Sequence, residues 1–199
     1  MKEFLKNHSY DMVKMGLNQF ATAIFGFSLV MAAGQAESAA LRNATSIFSV
    51  LFYLFLIYIT AWDIGYRDKV SVDLGKKKRT PLKGAGVALC ANIFNFILAI
   101  LIALAALFDG EAIDSIGAVA SFIAIFIEGM YTGLLANTVG GVLLNSVWAV
   151  YFLLPLPAII VSAVAYQFGV NDVKFTSVFN RHELPESDRA PKRKDKRDD

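Results

Sequence analysis

GAGVALCANIFNFILAILIALAALF, residues 84–108, carries no charged side chain from end to end. At 1.5 Å per residue, a helix of about 25 residues is long enough to cross a hydrocarbon core about 30 Å thick. The stretch belongs to a wider pattern: between Gly84 and Val173 there is no Lys or Arg, and the only acids are Asp109, Glu111, Asp114, Glu128 and Asp172. A soluble protein with a greasy core would spread its charges over every surface helix, since each needs a wet face. Here whole helices lack them, and the expected fold class is an all-α polytopic transmembrane bundle.

Composition agrees with that expectation. The apolar fraction is 56%, 16 phenylalanines are present and the mean hydropathy is +0.51, more than one soluble core of this size needs. The net charge of +2 hides two basic blocks, one from Arg67 to Lys83 and one in the tail after Lys174. Beside apolar segments such blocks act as topology signals and attract anionic lipid headgroups. Neither is interleaved with aromatics in a foldable module, which argues against nucleic acid as a partner. The single cysteine, Cys90, forms no intrachain disulfide and reads as a packed thiol. The opening MKEFLKNHSYDMVK is too polar for a signal-peptide core, so the first span is expected to stay.

Five apolar segments are expected, at about 15–33, 44–66, 84–108, 116–136 and 138–170. Residues 1–14 mix Phe4, Leu5, Met12 and Val13 with charges and read as an interfacial amphipathic segment. Trp62 and Tyr66 suit a headgroup-level belt, and the loop 67–83 is expected in the cytoplasm. The tail, residues 173–199, is charged and reads as largely disordered. Asn137 to Asn171 is uncharged and about 52 Å long as a helix, too long for one straight crossing and short for two. It needs a break, at Asn137–Gly141 or, in the preferred reading, at Pro155 and Pro157. With the basic loop and the basic tail both cytoplasmic, an even number of crossings must separate them. The last stretch then either crosses twice or enters and leaves on one side, and a single Pro-kinked span with an exterior tail is the rival. AWDIGYRD at 61–68 and AYQFGVND at 165–172 share Ala, an aromatic, Gly and Asp in one frame, which suits a shared helix-exit design without establishing a repeat.

Glu128 is the first candidate for chemistry. It lies near the centre of the fourth segment, where a carboxylate must find a partner or a proton. Two readings stand side by side, a proton or cation site and a protonated carboxyl bonded between helices. Asn92 and Asn95 fall on one helical face with Ala88, Ala99 and Ala103, and are candidate partners for Glu128 or plain packing residues. Asn137, Gly141, Asn145 and Ala149 form a similar series, and Asn18, Gln19 and Thr22 add polar groups near the entry of the first span, where water can satisfy them.

His8 and His182 have no Cys or His at ligand spacing, so no metal is expected, and no cofactor motif occurs. Asp63, Gly65, Arg67 and Asp68 read as a solvated turn with a polar partner as the alternative. The sequons at Asn7 and Asn43 are short enough to arise by chance. No cluster of nucleophile, acid and metal groups marks an enzyme.

LNQFATAIFGF in the first span, AWDIGYRDK before the basic loop and LPLPAIIVSAVAYQFG near the end resemble small, uncharacterised multi-spanning membrane proteins of Gram-positive bacteria. The resemblance spans most of residues 10–172 and implies a multi-pass cell-membrane protein, with no activity or binding residue to carry over. The leading expectation is a non-enzymatic membrane component acting through helix packing with itself or another membrane protein, in contact with the lipid bilayer. The alternative is a small transporter or ion-translocating subunit built on Glu128, Asn92 and Asn95.

Overall fold

A computed structural model of the chain describes residues 2–36, 38–75, 80, 82–108 and 110–173. The basic run at 76–79 and the tail beyond Val173, including His182, lie outside the described residues. The chain is nearly all helix. Helix α1, Lys2–Gly34, runs without interruption through the boundary expected at residue 14, because no proline or turn-forming cluster stops it. Its buried positions, among them His8, Asp11, Met15, Gln19, Thr22 and Gly26, recur every three or four residues along one face.

Helix α2, Ala39–Asp73, starts at Ser38, whose hydroxyl accepts the Leu41 amide at 3.3 Å. It carries on beyond Tyr66 into the segment expected as a loop, and stops at Leu74 and Gly75, where Gly75 adopts φ +69°.

The uncharged third segment is not one straight helix. Helices α3, Lys83–Ala91, and α4, Ile93–Leu107, meet at Asn92 with a bend of 56°. Asn92 donates from its side chain and from its backbone amide to the same Ala88 carbonyl, both at 2.9 Å. This local capture, typical of Asn, interrupts the regular ladder. Helix α5, Glu111–Ile127, opens with Glu111 and Asp114 in its first turn, complementing the helix dipole. It ends at Glu128, and the 3-10 turn Gly129–Tyr131 with helix α6, Thr132–Leu135, turns away by 83°. Glu128 therefore caps a helix instead of sitting inside one. Gly129 lies against the Ala23 backbone, where a Cβ would collide with the carbonyl, and this close approach fixes the turn against α1.

Strands β1, Thr138–Val139, and β2, Val142–Leu143, pair around Gly140 and Gly141 at φ +61° and +83°. Two successive positive φ values are the signature of a tight hairpin turn. A 3-10 turn at Leu144–Ser146 leads to helices α7, Trp148–Leu153, and α8, Leu156–Val170. The break expected at Pro155 and Pro157 does not divide this segment into two crossings. Trp148–Val170 is one apolar run of 23 residues, and the prolines stand at the start of α8, where a missing N–H costs nothing. The long uncharged stretch is broken instead at Asn137–Gly141.

Among the described residues, three helical segments are long and apolar enough to cross a membrane, or five if each bent pair counts as one span. Helix α1 runs antiparallel to α2, with Asp11 bonded to Arg67, Asn18 to Thr60, and Gly26 against Ser49. Helix α8 lies parallel to α2, and the two shared frames meet each other. A Cβ on Gly65 would strike the Tyr166 carbonyl, and one on Gly169 would strike that of Trp62. The molecule thus has a charged end, at Asp11, Arg67, Asp68, Lys83 and Asp172, and an amide end, where Asn43 and Asn137 bond to each other.

Candidate polar site between the bent helices

The breaks at Asn92 and Glu128 face a common neighbour. Tyr53, on α2 and 2% exposed, lies within reach of both Asn92 and Glu128. Tyr131 and Tyr151 are also within electrostatic reach of Glu128. Glu128 is 4% exposed, and its Oε2 has no hydrogen-bond partner within the protein. Asn95 donates to Asn92 Oδ1 at 2.9 Å. The two asparagines share a face, as their spacing predicts, and Asn92 lies beside Tyr53. The three tyrosines went unnoticed in the sequence, where each sits in an apolar run indistinguishable from lipid-facing or core aromatics.

Other polar residues are placed differently from expectation. Gln19 and Thr22 are buried, and Thr22 donates to the carbonyls of Asn18 at 2.7 Å and Gln19 at 3.0 Å, so protein groups serve Thr22 where water was expected. The series Asn137, Gly141, Asn145 and Ala149 does not form a helical face, since the β1–β2 hairpin intervenes and leaves Gly141 and Asn145 exposed. Asn137 instead exchanges side-chain hydrogen bonds with Asn43, at 2.8 and 3.2 Å.

Asp63, Gly65, Arg67 and Asp68 are helical, not a solvated turn, and Gly65 and Asp68 are buried. Asp68 Oδ2 accepts from Lys83 Nζ at 2.6 Å and from the Tyr166 hydroxyl at 2.9 Å. Asp11, 4% exposed, accepts from Arg67 Nη2 at 2.6 Å and is bonded to His8 Nδ1 at 3.2 Å. Burial pulls the His8 pKa below its ordinary value, and the hydrogen bond to Asp11 only partly offsets this. At Arg67 burial acts against the charge, but the hydrogen bond and charge of Asp11 outweigh it and the pKa rises. Between this charged end and the Glu128 level lies a packed apolar layer that includes Met15, Ile57, Ile64 and Val87, each 2% exposed or less.

Among the described residues, no group of three or more His, Cys, Asp or Glu side chains is placed to hold a metal ion. Comparison of the chain with protein-family models, with curated proteins and with solved structures finds no match.

Proposed function

We propose that the chain is a multi-pass cell-membrane protein that translocates protons, with Glu128 as the proton-carrying group and Asn92, Asn95 and Tyr53 shaping its pocket. The observation that carries this reading is that two helices break at polar residues, one at Asn92 and one at the buried carboxylate Glu128, and that buried Tyr53 lies within reach of both. Interrupted helices expose backbone and side-chain polar groups at depths where a continuous helix offers none, and transport proteins build ion sites there. An ionised carboxylate in hydrocarbon is costly, so Glu128 alternates between a protonated state and one in which it has just lost a proton to water or a partner. Among the described residues, Glu128 forms no ion pair with a Lys or Arg, which suits a proton as the cargo.

The distribution of side chains supports hydrocarbon as the surrounding solvent. Phe20, Phe25, Phe48, Phe52 and Phe55 are each at least 40% exposed, while Asp11, Asp68, Asn92 and Glu128 are buried. Water around such a surface would leave apolar area far beyond what a soluble monomer tolerates.

In the topology we favour, α1 leaves the cytoplasm, α2 returns, α3–α4 goes out, and α7–α8 comes back. Helix α5 with the segment to Leu135 then enters and leaves on the outer side. Two crossings separate the basic loop from the basic tail, and both lie inside, as their charge prefers. The reading requires no cofactor.

Reconstitution into proteoliposomes tests it. Under an imposed pH gradient with a potassium clamp, the wild type is expected to acidify or alkalinise the lumen. Glu128→Gln is expected to abolish that flux. A wild type silent under every gradient, or a variant that conducts as well as the wild type, would overturn it.

The second reading, a component acting only through helix packing with a partner, is favoured by an open apolar groove of about 300 Å³ between α4 and α5, lined by Leu98, Leu101, Ile116 and Val119 among others. It predicts no flux and a membrane protein that co-purifies and crosslinks to this groove.

A further inference from the structure

Buried polar side chains are nearly always hydrogen-bonded, and those without a protein partner mark where water or an ion reaches. Glu128 Oε2, Tyr131 Oη, Thr132 Oγ1 and Arg42 Nε are all buried without such a partner. They are not scattered. Glu128, Tyr131 and Thr132 lie on one bend of the chain, and the next residue, Gly133, packs directly on Arg42.

The direction of this string follows from its neighbours. Gly129 sits against Ala23, midway along α1. Ser46 donates to the Met130 carbonyl at 2.5 Å, Gly133 touches Arg42, and Asn137 bonds Asn43. From Ser46 the contacts pass to Arg42 and Asn43, near the first turn of α2 and therefore at the amide end. On the other side, the polar side chains of Asn18, Thr22 and Thr60 are each hydrogen-bonded within the protein. There the side chains of Met15, Ile57, Ile64 and Val87 close the interior. Beyond them Asp11–Arg67 and Asp68–Lys83, each at 2.6 Å, tie α1, α2 and α3 together.

We infer that Glu128 communicates with solvent from the amide end alone, along a narrow hydrated path past Tyr131, Thr132 and Arg42, and that the charged end is the closed gate. The inference rests on Glu128 being the working group of the site. Arg42 stands at the mouth of the path and is the only Lys or Arg among the described residues at that end. Its charge sets the field there, drawing anions and repelling cations at the entrance. Passage to the other side requires α1 or α3 to part from α2, breaking the two ion pairs and opening the apolar layer.

Thiol labelling in sealed membrane vesicles tests access without any need for transport. In a Cys90→Ser background, Thr138→Cys on the exposed hairpin defines the amide-end face. Thr132→Cys should react with membrane-impermeant methanethiosulfonates at least tenfold faster from that face than from the opposite one. Ala88→Cys, one turn before Asn92 in the closed layer, should stay unlabelled from both. An anionic sulfonate reagent should outpace the trimethylammonium reagent at position 132 by about threefold or more, the size expected for one unit charge a few ångströms away in water. Arg42→Gln should erase that preference.

Tyr131→Cys serves as the second reporter should Thr132→Cys not assemble. Protection of both positions from both faces, faster labelling from the charged end, or labelling of Ala88→Cys from that end would overturn the inference. Loss of the proton reading would show separately, as flux indifferent to Glu128→Gln with the labelling pattern unchanged.

Discussion

His8 and Asp11 stand one turn apart on α1, and their environment gives the charged end a pH dependence that the sequence does not advertise. The imidazole faces Asp11 on its own helix, Asp68 on α2 and Lys83 on α3. Burial lowers its pKa from the ordinary 6.5. The unfolded chain therefore takes up a proton first as pH falls, and folding loses stability from about pH 6.5 downward until the folded pKa is passed. Thermal unfolding in detergent should show a midpoint that declines between pH 7 and 5 in the wild type. In His8→Gln that decline should be shallower, and an unchanged slope would mean that another group dominates. Glu128 was legible as an isolated carboxylate in an apolar run. That it ends a helix with Tyr53, Tyr131 and Tyr151 within reach was not, because Tyr53 and Tyr151 come from distant stretches of chain and the turn that follows Glu128 has no local pattern.

Helices α2 and α8 pack where their two glycines oppose each other. Residues without a Cβ let backbones approach closely, and in a membrane such approach replaces the hydrophobic drive that water would supply. A methyl at either position meets a main-chain carbonyl, which cannot move aside as a side-chain tip can. Gly65→Ala should therefore destabilise by about 2–3 kcal/mol, the cost of overpacking, despite the better helix propensity of alanine. Gly169→Ala should cost about the same. The double variant should cost less than the two added, since one separation of the helices relieves both collisions. Additive losses, or no loss, in unfolding measured in detergent would show that the helices are not so close. The shared frame of 61–68 and 165–172 was visible in the sequence, but similarity of two segments does not say that they touch.

The whole molecule is an asymmetric bundle. Helices α1, α2 and α8 form one packed unit with α3 and the segment after Glu128, while α4 and α5 form a hairpin held by a second apolar cluster with Tyr151. Under the proposed topology, cysteines placed at Gly110 and Thr138 should be labelled from the same face of a sealed vesicle, and a reporter fused after Val173 should lie on the opposite face, in the cytoplasm. Labelling of 110 and 138 from opposite faces would replace the re-entrant segment with a full crossing. The preference for an even number of crossings came from the two basic blocks. The place of the breaks was not readable there, and the sequence pointed to Pro155 and Pro157, whereas the chain bends by 83° after Glu128 and turns at Asn137–Gly141.

Helical content, the presence of helices long and apolar enough to cross a membrane and the positions of their charged flanks follow from composition and from runs of side chains, because helix formation and side-chain hydropathy depend on neighbours within a few turns. The bends at Asn92 and Glu128, the meeting of Gly65 with Gly169, and the ion pairs that tie α1 to α2 and α2 to α3 were decided by tertiary structure. Each depends on a backbone or a charge contributed by a distant segment, as Gly129 depends on Ala23 and Asp68 on Lys83 and Tyr166. Contacts of that kind leave no periodic trace in the chain that makes them.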